Sequence, residues 1–313
     1  MPKLPDVTKL TIPPPSDPLN VFPISWPKSP QITYDLFALA KAQAWDPEDL
    51  PWHTLTEAKI SAEERLAIGY WFSVLGIFDA AAPPVFAHAL IEMFKNKEED
   101  GVRKCFSTIL RDELNHEEVC RKATMACLPG SPYGPLEWTP KTALEKGAYN
   151  NIQWAYHNGA RYWDGYVKAF DKYPFQEAFK RVSRDESRHA RMALYLTKRT
   201  FPSLPQEQKE FITKQLRAGF IFLSLILFKP FPGKFWELPD TFVDTHDILQ
   251  QAAQSGGLGI LSLKAREDAW RNAMLKVKKT VEAYGIAFPA MPEVGLMGQE
   301  VAEEDLETIV PVF

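Results

Sequence analysis

The chain has 313 residues, 45% of them apolar and 24% charged, which is ordinary globular composition and enough to bury a large core. Its net charge of −4, with no Lys/Arg run, excludes the electrostatic footprint of a nucleic-acid binder or of a partner for anionic membranes. Three cysteines, Cys105, Cys120 and Cys127, are odd in number and lack C-x-x-C spacing, so they encode neither a disulfide framework nor a zinc knuckle and are read as reduced thiols.

Nine of the 26 prolines fall within the first 30 residues, so residues 1–32 are expected to form an extended arm lying over the body or over a partner subunit. This arm lacks an apolar signal core, and no segment reaches the roughly 18 apolar residues of a membrane span; a cytoplasmic location is expected. From residue 33 the pattern YDLFALAKAQAW is helical, with a turn at Asp46-Pro47. Ser61 and Glu64 have capping-box spacing ahead of EERLAIGYWFSVLGIFDAAA, which is apolar on most faces and belongs inside a bundle. Pro83-Pro84 should kink this helix before VFAHALIEMFKNK resumes the period.

Further helices are expected over 98–128 and about 142–170, where Lys172-Tyr173-Pro174 forms a break, and over 175–200. Four long helices between 61 and 200, with few strand-like runs, are a bundle signature. Residues 205–228 end in the apolar run GFIFLSLILF, too short for a bilayer and read as a core or subunit-contact helix, which makes a homodimer reasonable. Residues 230–260 are Pro/Gly-rich, 263–285 is a last amphipathic helix, and the tail from 288 to 313 is expected to be extended. The whole is one domain: arm 1–32, bundle core 33–229, C-terminal extension 230–313.

Two segments read alike, RDELNHEE with Glu113 and His116, and RDESRHAR with Glu186 and His189. Each sets a carboxylate and an imidazole three residues apart on one helical face, so both reach the same point. At ordinary Glu content, six histidines yield roughly 0.4 such pairs by chance. Two Glu-x-x-His helices plus one carboxylate from each of two others is the ligand pattern of ferritin-like two-metal proteins. Asp79, inside the apolar run VLGIFDAAAP, fits the third helix, because a carboxylate there is costly to bury without a cation; an Arg partner is the bland alternative. The fourth helix, 142–170, offers Gln153 and His157 on one face, with Glu145 and Asp164 nearer its ends; imidazole is the better ligand, and a satisfied core histidine is the alternative. Asp112 and Asp185, directly before the glutamates, are candidate partners of the histidines or solvated acids. Trp71, Phe72, Phe78, Trp154, Tyr156 and Trp163 would keep such a site dry, although any bundle core carries such a stripe.

At these residues the chain resembles the ferritin-like di-metal carboxylate superfamily. AKAQAWDPEDLPW followed by AEERLAIGYWFSVLGIFD resembles the entry to the metal core of class I ribonucleotide reductase small subunits, a register that puts Asp79 on their first carboxylate ligand. DAAAPPVFAHALIEMF and VRKCFSTILRDELNH, with DKYPFQEAFKRVSRDESRH, resemble the di-iron arylamine N-oxygenases. The resemblance covers about residues 33 to 200. It departs from the family in three places. Cys120 stands where the reductase subunits carry their radical tyrosine, Val182 stands where the N-oxygenases carry a seventh ligand, and the carboxylate of the fourth helix is missing, with His157 about one turn away.

The resemblance implies an all-α, ferritin-like four-helix bundle with additional helices and extended termini. It implies a cofactor of two iron ions, or Mn/Fe, held by Asp79, Glu113, His116, His157, Glu186 and His189, with O2 as co-substrate. The expected activity is that of an oxygenase or oxidase that hydroxylates, N-oxygenates or desaturates a small organic substrate, using an external electron donor. Cys120 is a candidate redox participant, with a buried packing thiol as its alternative. The rival expectations are a reductase-like radical protein or ligand-binding oxidase, a ferroxidase or iron-binding protein, and a non-catalytic helical scaffold.

Overall fold

The computed structural model describes residues 27–53, 62–127, 173–227 and 262–302. Among them are six α-helices: α1 (Gln31–Ala42), α2 (Ala62–Lys95), α3 (Asp100–Cys127), α4 (Tyr173–Thr200), α5 (Gln206–Leu227) and α6 (Leu263–Glu282). No strand occurs among the described residues, only the isolated bridges Pro289 to Gln299 and Met291 to Leu296. The helix expected over 142–170 lies outside the described residues, as does the arm 1–26.

α2 runs for 34 residues with Pro83 and Pro84 inside it, so the two prolines remove backbone donors without ending the helix. It reverses into α3 through a tight turn in which Lys97 takes a left-handed φ of 51°. The Glu98 N–H donates to the Met93 carbonyl at 2.8 Å, closing the helix end. So short a turn makes α2 and α3 antiparallel neighbours, and they share the most extensive helix interface among the described elements. α1 lies across α3 at Gly101, where an added Cβ would come within 2.0 Å of Thr33 Oγ1. Only a glycine permits that approach.

The core of this unit draws on four helices: Leu36 from α1, Ala82 and Phe86 from α2, Val102, Phe106 and Ile109 from α3, and Met192 from α4. Phe86 and Phe106 meet edge-on at 5.9 Å. The far end of α4 is pinned to the α2–α3 turn by Arg199, which donates to both oxygens of Glu98 at 2.8 Å, and by Tyr195 Oη, which donates to Glu99 at 2.8 Å.

Two boundaries differ from the sequence reading. α4 begins at Tyr173, two residues before the expected start at 175, because a proline in the first helical turn has no intrahelical N–H bond to lose. The tail after residue 288 is not extended over its described part. Phe288, Met291, Val294 and Leu296 are buried, Met291 and Leu296 exchange backbone hydrogen bonds at 2.9 and 3.1 Å, and Arg217 of α5 forms a two-pronged pair with Glu293 at 2.8 and 2.7 Å. This tail packs with α5 and α6, where Phe220 and Trp270 stack at 5.5 Å. No helix among the described residues is long and apolar enough to cross a membrane.

Candidate metal centre

A surface helix keeps its charges outward, but α3 and α4 turn theirs inward where they face each other. Asp112, Glu113 and His116 on α3, and Asp185, Glu186, Arg188 and His189 on α4, are all buried, whereas Leu114 and Ser187 between them are exposed. The helical period explains the sorting, since residues three and four apart share a face and the one between points away.

The two glutamates lie between the two histidines. His116 Nδ1 is 3.4 Å from Glu113 Oε2 and 3.4 Å from Glu186 Oε1. His189 Nδ1 is 3.2 Å from Glu113 Oε1 and 3.5 Å from Glu186 Oε2. Each carboxylate thus gives one oxygen to each imidazole. The ligand atoms of Glu113, Glu186 and His189 fall within 4.8 Å of one another, a group able to hold a metal ion.

Behind the histidines the wiring crosses between helices. His116 Nε2 is 3.4 Å from Asp185 Oδ2, and His189 Nε2 is 3.3 Å from Asp112 Oδ2. The Arg188 guanidinium donates to Asp112 Oδ2 at 3.0 Å and also to Asp185 Oδ1 and Gln43 Oε1. Arg111 donates to Asp112 Oδ1, and Trp45 Nε1 donates to Asp185 Oδ2 at 2.7 Å. The segment after α1 is fastened here as well: Asn115 donates to the Trp45 carbonyl at 2.8 Å and Arg184 to the Gln43 carbonyl at 2.9 Å.

Electrostatics follow from this geometry. Burial disfavours an imidazolium at either histidine, yet Asp185, Glu113 and Glu186 around His116, and Glu186, Asp112 and Glu113 around His189, hold both pKa values well above the ordinary range. Burial likewise opposes ionisation of Asp112 and Glu186, and the imidazoles outweigh it, with Arg111 also acting on Asp112, so both carboxyls stay ionised below their usual range.

The donor set fits a pair of cations. With Nε2–H directed at an aspartate, the Nδ1 of a neutral ring is a lone pair, and lone pairs facing carboxylate oxygens need a positive charge between them. Of the buried side-chain atoms without a hydrogen-bond partner among the described residues, six belong to the four motif side chains: both oxygens of Glu113, both of Glu186, and Nδ1 of His116 and of His189. They are the six atoms that converge.

Asp79 on α2 is buried, and its Oδ2 accepts the Cys120 thiol at 3.0 Å. Cys120 sits one turn after His116 on α3, so this hydrogen bond joins Asp79 to the α3 face that carries His116. Burial, then the charge of Asp79, pushes the Cys120 thiol up, which keeps it an S–H donor. His157, Gln153, Glu145 and Asp164 lie outside the described residues. Of the expected aromatic shield, Phe72 is buried and stacks on Phe179 at 5.8 Å, and Val182 is buried beside it on α4. Arg188, Arg111, Trp45 and Gln43 escape a sequence reading. Arg188 and Arg111 are visible next to a motif but carry no spacing signal, and the other two follow α1, far from either motif in sequence.

The arrangement is that of the ferritin-like, all-helical fold. Solved structures of R2-like ligand-binding oxidases share it: one variant with an aerobically reconstituted Mn/Fe cofactor superposes with a TM-score of 0.56 at 14% identity, covering 79% of this chain and 92% of that chain. A second variant, with an Fe/Fe cofactor, superposes with a TM-score of 0.54 at 14% identity, over 79% and 92% of the two chains. At such identities the likeness is one of fold. No protein-family model matches the sequence, and no curated protein matches it.

Proposed function

We propose that this chain is a dinuclear metal-dependent oxidoreductase that uses dioxygen to oxidise a small organic substrate. The observation that carries this reading is the convergence of six buried, unpartnered ligand atoms from two Glu-x-x-His motifs. The cofactors of the structural relatives, Mn/Fe and Fe/Fe, support it as a matter of fold analogy.

In this reading Glu113, Glu186, His116 and His189 would hold the two ions, the histidines through Nδ1. Asp79 and His157 are the further proposed ligands. Two ions of iron, or of iron and manganese, would supply electron transfer to dioxygen. The chain's own work is different. Asp112 and Asp185 fix the tautomer and angle of each imidazole, Arg188 ties both aspartates together, and the buried Phe72–Phe179 contact joins α2 to α4. The Cys120 thiol donates to Asp79 and fixes that carboxylate. An external electron donor and a small organic molecule are the proposed partners. Cys120, in the place of a radical tyrosine, favours oxidation of a substrate over storage of a stable radical.

Metal analysis and oxygen uptake test this together. The purified chain, loaded with ferrous iron without air, should hold about two ions per chain and consume dioxygen on mixing. Fewer than about one ion per chain after loading removes the metal-site reading. Full loading without oxygen uptake removes the oxidase reading and leaves a metal-holding protein.

A further inference from the structure

Of the four buried threonines among the described residues, three donate to a backbone carbonyl three or four residues earlier: Thr33 to Pro30 at 2.9 Å, Thr108 to Cys105 at 2.7 Å and Thr213 to Lys209 at 3.2 Å. That local bond is the usual resting place of a threonine hydroxyl in a helix. Thr124 on α3 departs from it. It is fully buried, and its Oγ1 has no hydrogen-bond partner among the described residues. The hydroxyl is therefore turned off its own backbone and into the bundle, where leaving it unsatisfied costs stability.

Helix register places this hydroxyl beside the candidate metal centre. Thr124 follows Cys120 by one turn, and Leu75 precedes Asp79, the partner of Cys120, by one turn; α2 and α3 are antiparallel, so Leu75 and Thr124 share a level. α4 is antiparallel to α3 as well, since Glu98 meets Arg199 and His116 meets Asp185. Ala178 and Phe179 therefore stand at the level of Thr124, with Val182 one turn closer to the motif residues. All of these apolar side chains are buried, and Phe72 stacks on Phe179 at 5.8 Å. Among the described residues of this layer, Thr124 carries the one polar side chain. The layer begins directly beyond Asp79, and Thr124 stands roughly 12 Å along α3 from His116.

We infer that this layer receives the organic substrate, and that Thr124 sets its specificity by hydrogen-bonding a neutral hydroxyl or carbonyl at the end remote from the oxidised atom. The apolar body of the substrate lies over Leu75, Phe179 and Val182, with its reacting end toward Asp79. The substrate class is thus a short apolar molecule with a single neutral polar group. The inference rests on the oxidoreductase reading above. A site built to bond a substrate hydroxyl rejects the analogue lacking it far more sharply than an apolar wall discriminates by size.

1-Hexanol and hexane, added under argon to the full-length chain with and without manganese(II), test this, with binding read by headspace gas chromatography. The wild type should bind both saturably. Thr124→Val should weaken 1-hexanol by about tenfold and leave hexane within about twofold, whereas Thr124→Ser should keep 1-hexanol within about threefold of the wild type. Without ligand, Thr124→Val should raise the melting temperature, because it exchanges an unpartnered hydroxyl for a methyl of similar shape. Absence of saturable 1-hexanol binding, an unchanged 1-hexanol affinity in Thr124→Val, an equal loss of both probes, or a lower melting temperature would each overturn the inference. Manganese is counted in the same samples. Metal uptake without discrimination at Thr124 removes this inference alone, whereas discrimination in a chain that takes up no metal removes the two-metal reading and leaves Thr124 as a ligand contact.

Discussion

At the scale of single residues, the site is governed by what stands behind each imidazole. Asp112→Asn and Asp185→Asn keep the shape but offer an amide that can turn its NH2 toward Nε2, so each should weaken metal binding by about 10–100-fold, measured by competition with a chelator. Arg188→Gln should weaken both positions at once, because one guanidinium reaches both aspartates. The histidines also set a pH dependence. A group whose pKa rises on folding stabilises the fold below its ordinary value, here 6.5, and loses that contribution as the pH climbs through the folded value. The groups facing His116 and His189 are Glu113, Glu186, Asp112 and Asp185, with Arg188 and Arg111 one bond further out. Metal-free protein should therefore lose thermal stability as the pH rises above neutrality, and metal-loaded protein, with neutral imidazoles as ligands, should not. Melting curves at several pH values, with and without a chelator, check this. Glu113, His116, Glu186 and His189 are legible in the sequence because a three-residue spacing has only one meaning on a helix. Which aspartate backs which histidine is not legible, since the pairing crosses between helices 69 and 77 residues apart.

At the scale of elements, the same periodicity makes α1 to α6 readable from patterning, with ends shifted by the local chemistry of prolines. Pro83-Pro84 marks where a backbone donor is missing, but the packing of α2 on α3 carries the helix through it, a decision made by tertiary contact and not by propensity. Trp45 and Gln43 follow the end of α1 and reach α4 by contacts across 140 and 145 residues, for which no local pattern exists. The close α1–α3 crossing is the most demanding packing position. Gly101→Ala should destabilise the protein by about 1–3 kcal/mol, read from denaturant unfolding, because Thr33 Oγ1 is already bonded to the Pro30 carbonyl at 2.9 Å and has nowhere to retreat. Phe86→Ala, which empties a fully buried ring site, should cost about 3–5 kcal/mol.

At the scale of the whole molecule, the C-terminal segment closes a second packed layer instead of trailing away. The tail is expected to be extended from residue 288, whereas the turn over Pro292–Val294 and Gly295 leaves both Phe288 and Leu296 buried. Gly298 sits where a Cβ would meet the Phe288 carbonyl oxygen at 2.3 Å, so Gly298→Ala should loosen this layer and raise the hydrogen exchange of residues 288–299 without altering metal content. The cross-helix wiring of the site has a different implication for the cell. Neither α3 nor α4 holds a complete set of ligands, so a chain that has not yet docked its two halves offers only loose, water-bathed Glu-x-x-His pairs. Such pairs would retain redox-active metal poorly, so under the proposed function oxidising chemistry would be withheld from every unfinished or damaged copy of the protein, a safeguard set by the order in which the site is assembled.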